Sequence, residues 1–357
     1  MLKLCTKILV IFTRNELKLM KKGKTGVLLV NLGTPDSYSV PDVRKYLREF
    51  LMDNRVIDIP HFNRWLLVNL IIAPFRAPKS AKIYKELWTD KGSPLLYHGV
   101  EVEKKLQKLL GPDFFVKIGM RYQNPSIKKA LNSILNQKVS SIIVLPLFPQ
   151  YASATTGSIY EKVMNTIQSW DNIPEIRFIN NYYNKQSFIK AFAAVAKNAL
   201  KDKEYDCMLF SYHGLPERQV LKSSIDNYCK LNECCKSITE KNQFCYRAQC
   251  FETSRLLAKE LNIPEEKYKV VFQSRLGKSP WIQPYAEEMI RSLPDLGYKK
   301  VAVMVPSFVA DCLETNIEVG KEYKELFENC GGKEWIFIES LNTTELWIDS
   351  LKEMVLE

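Results

Sequence analysis

Histidine is scarce in this chain: His61, His98 and His213 are the only three in 357 residues, so any chemistry that needs an imidazole must run through one of them. Long apolar runs are missing as well. The stretches Ile8 to Phe12 and Trp65 to Phe75 fall short of the roughly 20 residues a helix needs to cross a bilayer. No small-residue cleavage site follows the first, which argues against a secretory leader and for a reducing cytosol, where the nine cysteines would not form disulfides. No helix-turn-helix, finger or RNA-binding signature accompanies the net charge of +11, and the lysines are scattered along predicted helices, so nucleic acid is not an expected partner. An acidic membrane surface or a carboxylate-bearing ligand would suit that charge, as would solubility alone. The paired Cys-x2-Cys of common zinc modules is also absent.

What is present is the composition of a globular protein of two domains, with 46% hydrophobic and 25% charged residues. Residues 1–24 stand apart, and are expected to be disordered or a non-native N-terminal extension ahead of a start at Met20. Four apolar, β-branched runs follow in the first half: Val27 to Asn31, Phe115 to Tyr122, Ile142 to Phe148 and Ile176 to Tyr182. Four more occupy the second half: Met208 to Tyr212, Tyr268 to Gln273, Val301 to Phe308 and Trp335 to Glu339. Segments of helical spacing separate them, which predicts α/β architecture with parallel sheets covered on both faces.

The halves share their punctuation. The first run of each ends in Gly and Pro (Gly33, Pro35; Gly214, Pro216), the second in Arg (Arg121; Arg275), and the third in Pro-x-Phe (Pro146 to Phe148; Pro306 to Phe308). One α/β unit used twice explains the pattern, with domains expected at 25–180 and 181–357. Ligands bind at the carboxyl ends of parallel strands, so these residues are expected to face one another across an interdomain cleft. An insertion at 40–83 interrupts the first unit. Its run Trp65 to Phe75 reads either as helical core or as an exposed apolar lip that meets a membrane or a greasy ligand.

His213 ends a buried run, where the chain must turn and a ligand can approach. Glu314 follows the third strand of the second half and is expected in the same cleft. Asp311 and Glu314 have the spacing of a capping box, so a capping role is the alternative. One imidazole and one carboxylate suit transient metal contact or proton transfer better than permanent metal binding. Arg121, Tyr122, Ser153, Thr155, Thr156, Gln273, Ser274 and Trp281 are further cleft candidates, with helix capping the alternative for the hydroxyls and packing for Tyr122 and Trp281. Together they suit a flat, apolar ligand with acidic edges.

Five of the nine cysteines, Cys229, Cys234, Cys235, Cys245 and Cys250, fall within one short segment. Such crowding points to zinc or an iron–sulfur cluster, with four of the five as ligands, and the missing Cys-x2-Cys pairs tilt the reading toward iron–sulfur.

These motifs, from about Gly26 onward, resemble the ferrochelatase family: Val30-Asn-Leu-Gly-Thr-Pro-Asp, Gly119-Met-Arg-Tyr, Pro149-Gln-Tyr with Ala154-Thr-Thr-Gly-Ser, Ser211-Tyr-His-Gly-Leu-Pro, Phe272-Gln-Ser-Arg, Pro280-Trp and Ala310-Asp-Cys-Leu-Glu-Thr. The resemblance implies two Rossmann-like domains, each a four-stranded parallel sheet, and a lyase that inserts Fe²⁺ into protoporphyrin IX in the terminal step of haem biosynthesis. Chelatases of coproporphyrin or sirohydrochlorin, and a porphyrin or haem carrier without chemistry, are the rival readings.

Carried onto this chain, the family's metal-handling and proton-handling histidine falls on His213 and its acidic partner on Glu314. Leu32, Tyr122 and Trp281 become walls that bend the macrocycle, Arg76 a basic residue on the substrate's approach, and Asp311 a neighbour of the substrate. The apolar stretch Trp65 to Phe75 resembles a membrane-facing lip, implying a cytoplasmic protein in peripheral contact with the inner face of the membrane. Relatives with a C-terminal cluster use a cysteine where this chain has Ser153, together with cysteines in an extension beyond the position of Glu357. The cysteines here resemble instead an internal [2Fe-2S] segment, which implies Cys229, Cys245 and Cys250 as ligands and either Cys234 or Cys235 as the fourth.

Overall fold

The computed structural model describes residues 23–357 apart from Asn232, Leu276 and Lys278, so the expectation for residues 1–22 lies outside the described residues. Among the described residues, eight strands form two four-stranded parallel sheets. The first comprises β1 (Thr25–Gly33), β2 (Phe114–Tyr122), β3 (Ser141–Pro146) and β4 (Glu175–Phe178), in the order β2-β1-β3-β4. The second comprises β5 (Cys207–His213), β6 (Tyr268–Gln273), β7 (Lys300–Met304) and β8 (Glu334–Phe337), in the order β6-β5-β7-β8. The identical order is the structural form of the repeat read from Gly, Pro and Arg positions.

The inner strands are buried on both faces, as helix-covered parallel strands must be. Residues Val27 to Val30 of β1 and Cys207 to Phe210 of β5 are fully enclosed. One apolar core runs between the sheets, taking in Leu29, Met120, Phe192, Phe210, Ala302 and Trp347. Trp347 lies on the helix Glu345–Leu356, which packs against Pro94–Leu110 and Gln186–Ala199 and so ties the end of the chain back to its first half.

In each sheet the chain leaves the first strand to one side and returns for the third on the other. The direction of winding therefore switches between β1 and β3, and between β5 and β7. A crevice opens at such switch points. The helix after the third strand starts with a π-helical turn in both units, Ser153–Gly157 after β3 and Glu314–Glu322 after β7. Widened turns of this kind are rare and concentrate at functional sites.

The insertion forms the helix Val40–Leu51 and a long helical run from His61 to Leu87 with a third π-helical stretch, Leu67–Ile72. Its inner face, through Tyr46, Val68, Ala77 and Tyr84, shares an apolar cluster with Leu32, Leu313 and Ile317. The lip, the end of β1 and the Glu314–Glu322 helix are thereby held together. Its outer face exposes Phe62, Leu70, Ile71 and Phe75, so the run from Trp65 to Phe75 is core on one side and apolar surface on the other. Among the described residues no helix is long and apolar enough to cross a membrane.

Candidate functional site

His213 is the last residue of β5, half-buried above the enclosed Tyr212. Its Nδ1 lies 2.7 Å from the carbonyl oxygen of Gly214. A carbonyl only accepts, so Nδ1 is the donor of this contact, and in the neutral ring the lone pair then stands on Nε2. Gly214 is needed here: a Cβ would stand 2.9 Å from the Gln273 carbonyl oxygen and 3.0 Å from the Trp281 ring. Trp281 bridges to Pro216 and sets its ring centroid 6.4 Å from that of His213.

Glu314 opens the π-helix after β7, at the positive end of its dipole. Burial, then the Glu314 charge, holds the nearby Cys312 thiol well above its ordinary pKa. The capping box that was the alternative reading of Asp311 and Glu314 does not form. Asp311 instead accepts from Ser340 N (3.1 Å), Asn342 Nδ2 (2.7 Å) and the Thr315 hydroxyl (3.2 Å), tying the loop after β7 to the one after β8.

A third ionisable group was not singled out from the sequence. Glu318 lies one turn beyond Glu314, and its Oε2 accepts from Ser274 Oγ (2.6 Å) and Gln273 Nε2 (3.1 Å), while Oε1 accepts from Tyr323 Oη (3.0 Å). Burial raises the Glu318 pKa above the usual carboxylate value; the Ser274 hydrogen bond and the His213 charge oppose the rise, and Glu314 adds to it. His213 and Glu314 thus both lie near enough to Glu318 for their charges to act on it. The available signal was Glu-x-x-x-Glu, a spacing that puts both carboxylates on one helix face.

The first unit contributes differently. Arg121 and Tyr122 converge with Ser158 on Asp53 Oδ2, at 2.6, 2.8 and 2.5 Å. Tyr122 is fully enclosed and the Arg121 guanidinium stacks over its ring. Ser153 accepts from Arg55 Nη1 at 2.9 Å, the Thr155 hydroxyl donates to Ala152 O, and Thr156 is buried with its hydroxyl unpaired. Leu32 packs beside Leu313 and Ile317, and Arg76 is exposed on the lip helix with its charge reaching Tyr84. Gln273 and Ser274 touch Glu318.

The cysteine segment sits beside this site. The Cys229 and Cys234 sulfurs are 4.0 Å apart, and those residues with Cys245 line one small surface hollow. The neighbouring Cys245 thiol, and then burial, raise the Cys235 pKa, while the neighbouring Cys235 thiol lowers that of Cys245. Cys250 lies deeper, fully buried on the helix Tyr246–Glu260 beside Tyr246. Among the described residues no three His, Cys, Asp or Glu side chains gather into a metal-holding group. The thiols suit a thiophilic metal in kind, and the Cys229–Cys234 spacing is close to the roughly 3.8 Å between two sulfurs on one zinc or iron. As they stand they are paired rather than converged.

The family described as ferrochelatase matches residues 24–357. The ferrochelatase of Legionella pneumophila (strain Lens) is 47% identical over 334 residues, 94% of this chain and 99% of that protein. That of Coxiella burnetii (strain Dugway 5J108-111) is 43% identical over 339 residues, 95% of each. Among solved structures, SirB from Bacillus subtilis with Fe³⁺ has a TM-score of 0.51 at 12% identity, covering 94% of this chain and 95% of that one, which is a likeness of fold.

Proposed function

The chain belongs to the ferrochelatase family, a family of metal-chelating lyases, and from that premise we propose that it inserts Fe²⁺ into protoporphyrin IX to give protohaem. The observation that carries the mechanism is the contact of His213 Nδ1 with the Gly214 carbonyl oxygen. With Nδ1–H committed to Gly214 O, Nε2 is the one free nitrogen, and it cannot hold iron and take a proton at the same moment. The two jobs fall to different groups.

Insertion exchanges Fe²⁺ for two pyrrole N–H protons. His213 Nε2 accepts each proton as the nitrogen lone pair turns to iron. Glu318, whose burial makes it readily protonated, takes the proton from the imidazolium and returns the lone pair for the second transfer. Glu314 at the head of the π-helix contacts the incoming Fe²⁺. No closed ligand cage is wanted, since a substrate ion must leave with the macrocycle. Leu32 and Trp281 serve as walls against the ring, and Arg76 meets the propionates. The macrocycle's departure from planarity comes from contacts remote from the reacting nitrogens.

The cysteine segment is read as the seat of a [2Fe-2S] cluster with Cys229, Cys245 and Cys250 as ligands and either Cys234 or Cys235 as the fourth, a set that needs the fully buried Cys250 to turn toward the others. When bound, such a cluster supplies one-electron chemistry at the edge of the protein. The exposed apolar face of the lip, Phe62 to Phe75, is read as resting on a membrane surface.

Substrate choice is tested by offering protoporphyrin IX, coproporphyrin and sirohydrochlorin with Fe²⁺ in anaerobic competition. Preferential loss of protoporphyrin supports the assignment; preference for either of the others replaces it. The as-purified absorption spectrum tests the cluster, and a colourless protein with one bound zinc would refute it.

A further inference from the structure

Gln273 leaves no atom for a substrate. Its side chain is 1% exposed, its amide oxygen accepts from Ser211 Oγ at 2.7 Å, and its amide nitrogen donates to Glu318 Oε2 at 3.1 Å and Glu314 O at 3.3 Å. Its backbone oxygen accepts from Gly214 N at 2.8 Å, and it stands opposite His213 in the β5–β6 register. One residue thus touches the strand that carries the imidazole, the turn whose carbonyl meets the imidazole's Nδ1, and the helix that carries both carboxylates.

Ser274 completes the grip from an unfavourable backbone. Its φ is +65°, a left-handed conformation that costs a non-glycine residue energy and persists only where the surroundings impose it. From there its hydroxyl reaches the same Oε2 at 2.6 Å. Packing alone would need neither the strained residue nor two donors on one oxygen.

We propose that the Gln273–Ser274 pair is a positioning element that fixes the Glu318 carboxylate relative to His213, a role that rests on the metal-insertion reading above. Neither residue touches the macrocycle. They set where the proton acceptor beyond the imidazole stands, so their loss should slow turnover and leave porphyrin binding alone.

Two full-length variants separate this role from a structural one. Ser274→Gly removes the donor while relieving the backbone strain, so it should melt at or above the wild-type temperature. Gln273→Met keeps the volume and removes both donor and acceptor, so it should melt lower. Both should keep the wild-type Kd for protoporphyrin, read by fluorescence quenching, and its KM. Both should lose kcat by roughly tenfold to a hundredfold, as expected when a catalytic group is held out of place. Folded Ser274→Gly protein with kcat within about twofold of wild type overturns the proposal, as does a kcat loss that merely follows a loss of porphyrin affinity. A wild-type protein that metallates no tetrapyrrole in the same assay instead overturns the function on which the proposal rests.

Discussion

The hydroxyl of Tyr246 donates to the backbone carbonyl of His213 at 2.8 Å, and Tyr246 follows Cys245 directly in the chain. The cysteine segment and the imidazole are therefore one covalent step and one hydrogen bond apart. Tyr246→Phe should lower stability by about 1 kcal/mol, the worth of one buried hydrogen bond, in a urea titration. Metallation should slow at the same time, because the strand end that carries His213 gains freedom. A variant with unchanged kcat would mean that this bond holds the fold and not the site.

Asp53 gathers Arg121, Tyr122 and Ser158 while 3% of its side chain is exposed, against 13% for Arg121. Asp53→Ala leaves a largely buried guanidinium without its partner, which costs about 3–5 kcal/mol. Chemical denaturation measures the loss, and a change below about 1 kcal/mol would show that water reaches Arg121 far more freely than its surroundings indicate.

His98 is half-buried, and burial lowers its pKa from 6.5, with the Asp311 charge opposing and the Lys91 charge assisting. The folded state thus prefers the neutral imidazole. A depressed folded pKa gives stability that is present above pH 6.5 and is lost as pH falls through the folded value. Urea midpoints should accordingly drop between pH 7.5 and pH 5.5, and His98→Gln should lessen that drop. An equal drop in the variant would assign it to other groups.

Phe62 and Phe75 are 69% and 75% exposed on the outer face of the lip. The double change Phe62→Ser with Phe75→Ser should shift stability by less than about 0.5 kcal/mol, as surface changes do. Sedimentation with anionic vesicles should fall severalfold, and equal sedimentation of both proteins would remove the lip from membrane contact.

Much of the architecture was legible because parallel strands buried on both faces must be continuous apolar runs, as Val27 to Val30 and Cys207 to Phe210 are. Matched turn residues at Gly33, Gly214, Arg121 and Arg275 pointed to one unit used twice, though not to the strand order that the two sheets share. His213 and Glu314 were legible because each ends or follows a strand at a winding switch. Glu318 was not, since a charged residue among Glu318, Lys321 and Glu322 has the composition of an ordinary solvated helix face. Spacing could not foresee the grip of Gln273 and Ser274, because it joins residues some 45 positions apart. The same holds for Asp53, which finds Arg121 across 68 positions. Such pairings belong to tertiary structure and leave no periodic trace.

The central claim is that His213 Nε2 takes the pyrrole protons. Full-length wild-type and His213→Ala proteins are mixed anaerobically with Fe²⁺ and protoporphyrin IX, and haem formation is followed by absorption while porphyrin binding is read separately by fluorescence. The account predicts that His213→Ala binds porphyrin as the wild type does and metallates it about 10²–10⁴-fold more slowly, the usual worth of a positioned base. Metallation by His213→Ala at the wild-type rate would contradict it.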